Sequence, residues 1–231
     1  MKGQIVFLFV VVPWLLYAQL NEVGAEVADT KYLEDQFYVG LSYNFIRDKP
    51  DGISQQNLSY GLQFGVIKDI PLNKTRNVAL GIGVGYAVNS YYSNLFASQA
   101  DNTITYAIAS DSVGLRRGKL ENHLIEFPLE FRWRTSTPEE YKFWRIYGGI
   151  KFGYVFSSRF KFVTNTDKIA FSNGNNTNFQ YGLTLNFGYN TFNIHTYYAL
   201  SALFKDGTNL GTTNTPIEFK PLRIGIIFYI L

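Results

Sequence analysis

From residue 35 onward the chain alternates. Large apolar residues and small or polar residues take turns, position by position, in eight separate runs: 35–47, 56–68, 77–89, 125–133, 144–156, 179–187, 192–200 and 222–230. In the first, Phe37, Val39, Leu41, Tyr43 and Phe45 are interleaved with Tyr38, Gly40, Ser42 and Asn44. A period of two is that of an extended strand, whose successive side chains point to opposite faces. No segment of helical period separates the runs, which argues against a parallel sheet with crossover helices. The expectation is an all-β chain.

Two arrangements satisfy such a pattern. In a sandwich, the apolar rows face each other across a core and the polar rows face water. In a transmembrane barrel, the apolar rows face lipid and the polar rows face the lumen. The composition favours the barrel. Charged residues are only 17% of the chain, against about 25% in a typical soluble domain, and aromatics also reach 17%. The polar rows are rich in Gly and poor in the Lys and Glu that cover soluble sheets. Phe37, Tyr86, Tyr91, Tyr92, Trp133, Trp144 and Tyr198 stand near run ends, as interfacial girdles do. Each run meets the roughly 9–11 residues that a tilted membrane strand needs. The connections alternate too. Those near 69–76, 135–143 and 188–190 are short, those near 94–119 and 157–176 are long, and those near 48–55 and 205–216 are intermediate. Short turns on one side and longer loops on the other fit an eight-stranded antiparallel transmembrane β-barrel spanning 35–231.

The one long apolar stretch covers residues 5–18, behind Lys2, and ends in Ala18. A charged start, a short apolar core and a small residue read as a signal peptide over 1–18. A single membrane anchor is the other reading of that stretch. Residues 19–34 are mildly acidic and read as a periplasmic lead-in. Cys is absent, which excludes disulfides, thiolate metal sites and lipoprotein processing. Without Lys2 the chain carries 20 basic and 18 acidic residues, a net charge of +2. That balance is not the footprint of a nucleic-acid partner.

Chemistry-bearing residues are sparse. Glu126, Glu130, Arg132 and Arg134 share the polar row of the fourth run. Arg145 and Lys151 lie on the polar row of the fifth, and Arg223 on that of the last. Cross-strand pairing would bring opposite charges together. One reading is a salt-bridged plug filling the lumen, since eight strands enclose little more than their own side chains. The other is a pair of acid/base carboxylates or a selective pore. Gly81, Gly83 and Gly85 alternate without a following helix, so they read as small residues on a concave face rather than as a phosphate loop. His195 falls on a polar row, and His123 lies near the outer end of the fourth run. No orienting partner stands at readable spacing for a Ser–His hydrolase, and no cluster of metal ligands is present in the sequence pattern. No catalytic, cofactor or metal residue is assigned. Asn-x-Ser/Thr sites at Asn57, Asn73 and Asn175 read as coincidental. The connection at 94–118 is polar, with a β-like stretch at 104–108, and that at 157–176 reads as an extension of its strands.

The segment at 123–134, His-Leu-Ile-Glu-Phe-Pro-Leu-Glu-Phe-Arg-Trp-Arg, resembles the "Leu/Ile-Glu-Ile-Pro-Leu-x-x-Lys-Tyr" strand of porin-like outer-membrane β-barrel proteins of the Bacteroidota. Pro221 before the last run recurs in that family. Asn57-Leu-Ser-Tyr-Gly61, the stretch 81–92 and the stretches 143–147 and 151–156 are similar to its PorT (SprT) branch. The resemblance covers about residues 36–231, by the extent of a whole barrel. It implies an outer-membrane location and a non-enzymatic accessory role in type IX protein secretion and gliding motility. The partners it implies are outer membrane lipid and other type IX secretion components. A small porin, or a lipid-modifying enzyme, are the competing functions.

Overall fold

A computed structural model describes residues 36–101, 103–110, 114–135, 142–211 and 213–230. The expected signal peptide and lead-in lie outside the described residues, as does most of the expected turn at 135–143. Among the described residues eleven strands form: β1 (Gln36–Arg47), β2 (Tyr60–Pro71), β3 (Val78–Tyr92), β4 (Leu95–Ala100), β5 (Thr103–Ile108), β6 (Arg117–Arg134), β7 (Trp144–Val163), β8 (Lys168–Ser172), β9 (Phe179–Tyr189), β10 (Phe192–Ala199) and β11 (Lys220–Ile230).

Eight of them close on themselves. The order runs β6-β3-β2-β1-β11-β10-β9-β7, and β7 pairs back with β6. Every neighbouring pair is antiparallel. The first and last strands register from Phe37↔Ile230 to Arg47↔Lys220, which closes the barrel. Closure leaves no unpaired edge, the condition for a sheet to stand in hydrocarbon. The β3–β6 ladder has a gap. The β3–β6 register passes from Ile82↔Leu129 to Gly85↔Glu126, skipping the position opposite Pro128, which has no N–H to donate.

The two faces divide as the alternation requires. Phe37, Phe64, Phe131, Leu185 and Ile230 point outward, and Phe37 is 64% exposed. An outward belt this apolar is unstable in water and stable in lipid. On β6 it covers residues 125–133, and Trp133, Trp144, Tyr189 and Phe192 edge it at the short-turn side. By the convention that short turns are periplasmic, β1 begins at the periplasmic end and ends at the outer end, from which the longer connections after β1, β3, β7 and β10 leave.

Several strand ends differ from expectation: β2 runs on to Pro71 rather than 68, and β3 to Tyr92 rather than 89. The second strand starts at Tyr60 rather than at 56, because Asn57 is left-handed (φ 55°) and interrupts extension. The fourth strand begins at Arg117 rather than at 125, and the fifth runs on to Val163, the extension expected of the connection at 157–176. These two project beyond the apolar belt, and β8 pairs with the projecting part of β7. The polar connection after β3 folds into the hairpin β4–β5, which includes the stretch 104–108.

Candidate functional site

The barrel interior is built from inward-facing residues of all eight strands. At its periplasmic end, Asp69 of β2 takes two arginines of β6. Its carboxylate oxygens lie 2.6 Å from Arg132 and 2.6 Å from Arg134. β2 and β6 are not neighbours, because β3 runs between them. Asp69 registers with Gly81, and Gly81 registers with Glu130. A Cβ on Gly81 would stand 2.6 Å from Arg132 Cδ, so the bare backbone there is what lets the guanidinium cross to Asp69. Arg132 also donates to Gln36 Oε1 at 2.5 Å and stacks over Tyr147, 4.0 Å from the ring centre.

Above this, Glu126 of β6 takes Lys151 of β7 at 3.2 Å and Arg223 of β11 at 3.0 Å. Lys151 also donates to Gln63 Oε1 at 2.6 Å. Arg223 donates to Asn89 and lies 3.7 Å over the Tyr197 ring. Glu130 accepts from Asn186 at 3.2 Å and stands 3.6 Å from Arg132. Arg145 faces aromatic rings, 4.4 Å from that of Phe143. All seven residues singled out in the sequence are buried inside the barrel. Buried charges of this kind persist only when paired and hydrogen-bonded. Asp69 joins Arg132 and Arg134, yet the sequence placed it in the turn at 69–76. Its place on the polar row of the second run was the available signal.

The histidines part company. His195 lies in the lumen, with Nδ1 2.6 Å from Asn186 Oδ1. His123 lies on the outer surface, just above the belt. Its Nδ1 is 2.6 Å from the Tyr86 hydroxyl, and its Nε2 is 3.6 Å from Glu121. Glu121 itself is held between Lys119 and Lys161, the latter at 2.5 Å. Burial pushes its carboxyl up, but the hydrogen bonds and charges of the two lysines outweigh that and bring it down to about 2.

A second, apolar group closes the outer mouth. Phe160 and Phe162 of β7 and Leu120 of β6 meet Leu95, Ala97 and Tyr106 of the hairpin and Leu203, Phe204, Leu210, Ile217 and Phe219 of the last loop. Tyr106 lies 5.6 Å from Phe204, edge to face, and its backbone carbonyl accepts from Gly211 N–H at 2.8 Å. The sequence reading treated these loops as polar. Leu95-Phe96-Ala97 and Ala202-Leu203-Phe204 are short apolar runs without a period of two, and only Ile104, Tyr106 and Ile108 alternate.

The arrangement can hold a barrel shut. Polar and tyrosine side chains occupy its length, and loops cap it. Sequence comparison places this geometry. Residues 17–205 match the family described as an outer membrane protein beta-barrel domain. No curated protein matches the sequence. Among solved structures, Ail, the attachment invasion locus protein of Yersinia pestis, aligns over 84% of this chain and 96% of its own, at 16% identity and a TM-score of 0.37. A chain from a structure titled "Asymmetric conductivity of engineered proteins" aligns over 86% of this chain and 100% of its own, at 9% identity and a TM-score of 0.22.

Proposed function

The chain belongs to the outer membrane protein β-barrel domain family, and from that premise we propose that it is a non-enzymatic accessory component of type IX protein secretion and gliding motility, resident in the outer membrane. The observation that carries the reading is the filled and capped interior. The ion-paired groups around Asp69 and Glu126 occupy the lumen, and the apolar cluster of Phe160, Phe204 and Phe219 covers its outer mouth. A barrel so filled offers partners its surfaces rather than a passage, and loops on a rigid scaffold are where such contacts concentrate. The choice of secretion pathway rests on the resemblance of residues 57–61, 81–92, 143–147 and 151–156 to the PorT-like branch.

Deleting the gene and assaying secretion of type IX cargo tests the reading. Cargo retained inside the deletion strain supports it, and normal secretion overturns it. A porin is distinguished by planar-bilayer recording, where steady conductance would favour a channel. Lipid modification is distinguished by the outer-membrane lipid of the deletion strain, which stays unchanged if the protein is not an enzyme.

A further inference from the structure

At the outer end, well above the belt, several connections meet around a cavity of about 470 Å³. That volume lies in the range of small-molecule sites. Its polar walls are the amides of Gln56, Asn94 and Asn165, the Ser110 hydroxyl and the Arg116 guanidinium. Among the described residues, Ala109 and Leu115 are the only apolar side chains that line it, and no carboxylate does. Bonds between separate segments fix these walls. Asn94 accepts from Ser54 N–H at 2.8 Å and donates to Gly52 C=O at 2.9 Å, which ties the start of the β4–β5 hairpin to the connection after β1. Arg116 N–H donates to Val163 C=O at 2.9 Å, at the end of β7.

Arg116 is the charged group of the cavity, and it is held in place. Its Nε donates to Asn165 Oδ1 at 2.8 Å, in the turn between β7 and β8. Gly114 makes that approach possible. It is left-handed, and a Cβ on it would stand 2.4 Å from Asn165 Nδ2. The Nη1–Nη2 edge of the guanidinium is left without a partner among the described residues. Two parallel N–H donors on that edge match the two oxygens of a carboxylate. Arg116 stands nine positions before Ile125, where the belt of β6 begins. At ~3.3 Å per residue and a tilt of about 45°, that is roughly 20 Å above the hydrocarbon. The ligand therefore arrives from water. Amide and hydroxyl walls without an aromatic ring suit a solute that is itself hydroxylated, because each polar wall group needs a hydrogen-bonding partner once water is displaced. We propose that this cavity binds the carboxylate of a hydrophilic solute of the sugar-acid class, with Arg116 taking the carboxylate and Asn165 holding the guanidinium in position. The proposal stands independently of the secretion role.

The test uses the full chain folded into phosphatidylcholine vesicles and titrated in a calorimeter. Galacturonate is the probe, galactose its uncharged counterpart and acetate the bare carboxylate. The wild type is expected to bind galacturonate saturably and galactose at least about tenfold more weakly. Acetate, which reaches Arg116 but not the amide walls, should also bind more weakly than galacturonate. Arg116→Gln should weaken galacturonate binding by at least about tenfold. Asn165→Leu keeps the charge but releases the guanidinium, and should weaken binding about three- to tenfold. Both side chains are exposed, so neither change should move the thermal midpoint. Absence of saturable galacturonate binding by the wild type overturns the proposal. So does equal binding by Arg116→Gln, or acetate bound as tightly as galacturonate, which would mark a bare anion site. Unchanged affinity in Asn165→Leu overturns the positioning role.

Discussion

Asp69 governs the periplasmic half of the lumen. It is the carboxylate that both Arg132 and Arg134 reach, and all three side chains are buried. Asp69→Asn removes the charge and keeps the shape, leaving two guanidinium groups in a closed interior. The expected loss is about 3–5 kcal/mol, read as a lowered urea midpoint for unfolding from vesicles. Glycine does comparable work at Gly85. A Cβ there would lie 2.0 Å from the Tyr38 hydroxyl, so the residue opens room for a ring that crosses the lumen. Gly85→Ala should cost about 1–3 kcal/mol by overpacking. Adding Tyr38→Phe should recover part of that loss, and a double-mutant cycle on the same unfolding midpoint measures the coupling. The lumen charges were legible as residues, because a period of two assigns each to a row. Their partners were not. Asp69 and Arg132 are 63 positions apart on strands that are not neighbours in the sheet, and the bare backbone of Gly81 between them lets the pair form.

Among the elements, β7 shows why the outer half of the barrel escaped the pattern. The apolar residues Trp144, Ile146, Ile150, Phe152, Tyr154, Phe156, Phe160 and Phe162 all occupy even positions and read as one face. The register with β6 shifts by one at His123/Leu124, where Leu124 pairs with Val155 but His123 pairs with Ser157. Phe156 is the extra residue of a β-bulge. One residue of slip sends every later side chain to the other face. Phe160 and Phe162 therefore turn inward and build the cap, while Arg159 and Lys161 turn outward. Phe160→Ala should open a cavity costing about 3–5 kcal/mol. Because the cap lies beyond the belt, the expected readout is local, with new protease cleavage in loops 93–116 and 200–219 while the barrel stays folded. Glu121 gives these projecting strands a pH dependence. Its folded value of about 2 lies below the ordinary 4.5, so its contribution is present above pH 4.5 and is lost as pH falls toward 2. Thermal midpoints measured across that interval should fall for the wild type, and should fall less for Glu121→Gln.

For the whole molecule, the closed eight-stranded ring sets a lumen that its own side chains fill. The cap and the ion-paired interior are independent obstructions. Removing the β4–β5 hairpin should therefore leave planar bilayers without steady conductance, whereas a pore blocked by the loops alone would open. Replacing Glu126 and Glu130 by Gln should lower stability and leave the bilayers silent. A selective current altered by those two changes would instead identify a channel.

Periodicity by itself determined the all-β class, the eight spanning strands, the lipid-facing rows and the residues that point into the lumen. It could do so because strand geometry ties sequence parity to face, and because lipid demands an apolar face and a closed ladder. Tertiary structure alone decided which charges meet, where parity breaks and what covers the mouth. Those depend on Gly81 between β2 and β6, on the bulge at Phe156 and on the packing of Tyr106 against Phe204. Each is a contact between residues far apart in the chain, and no local pattern encodes the distance between them.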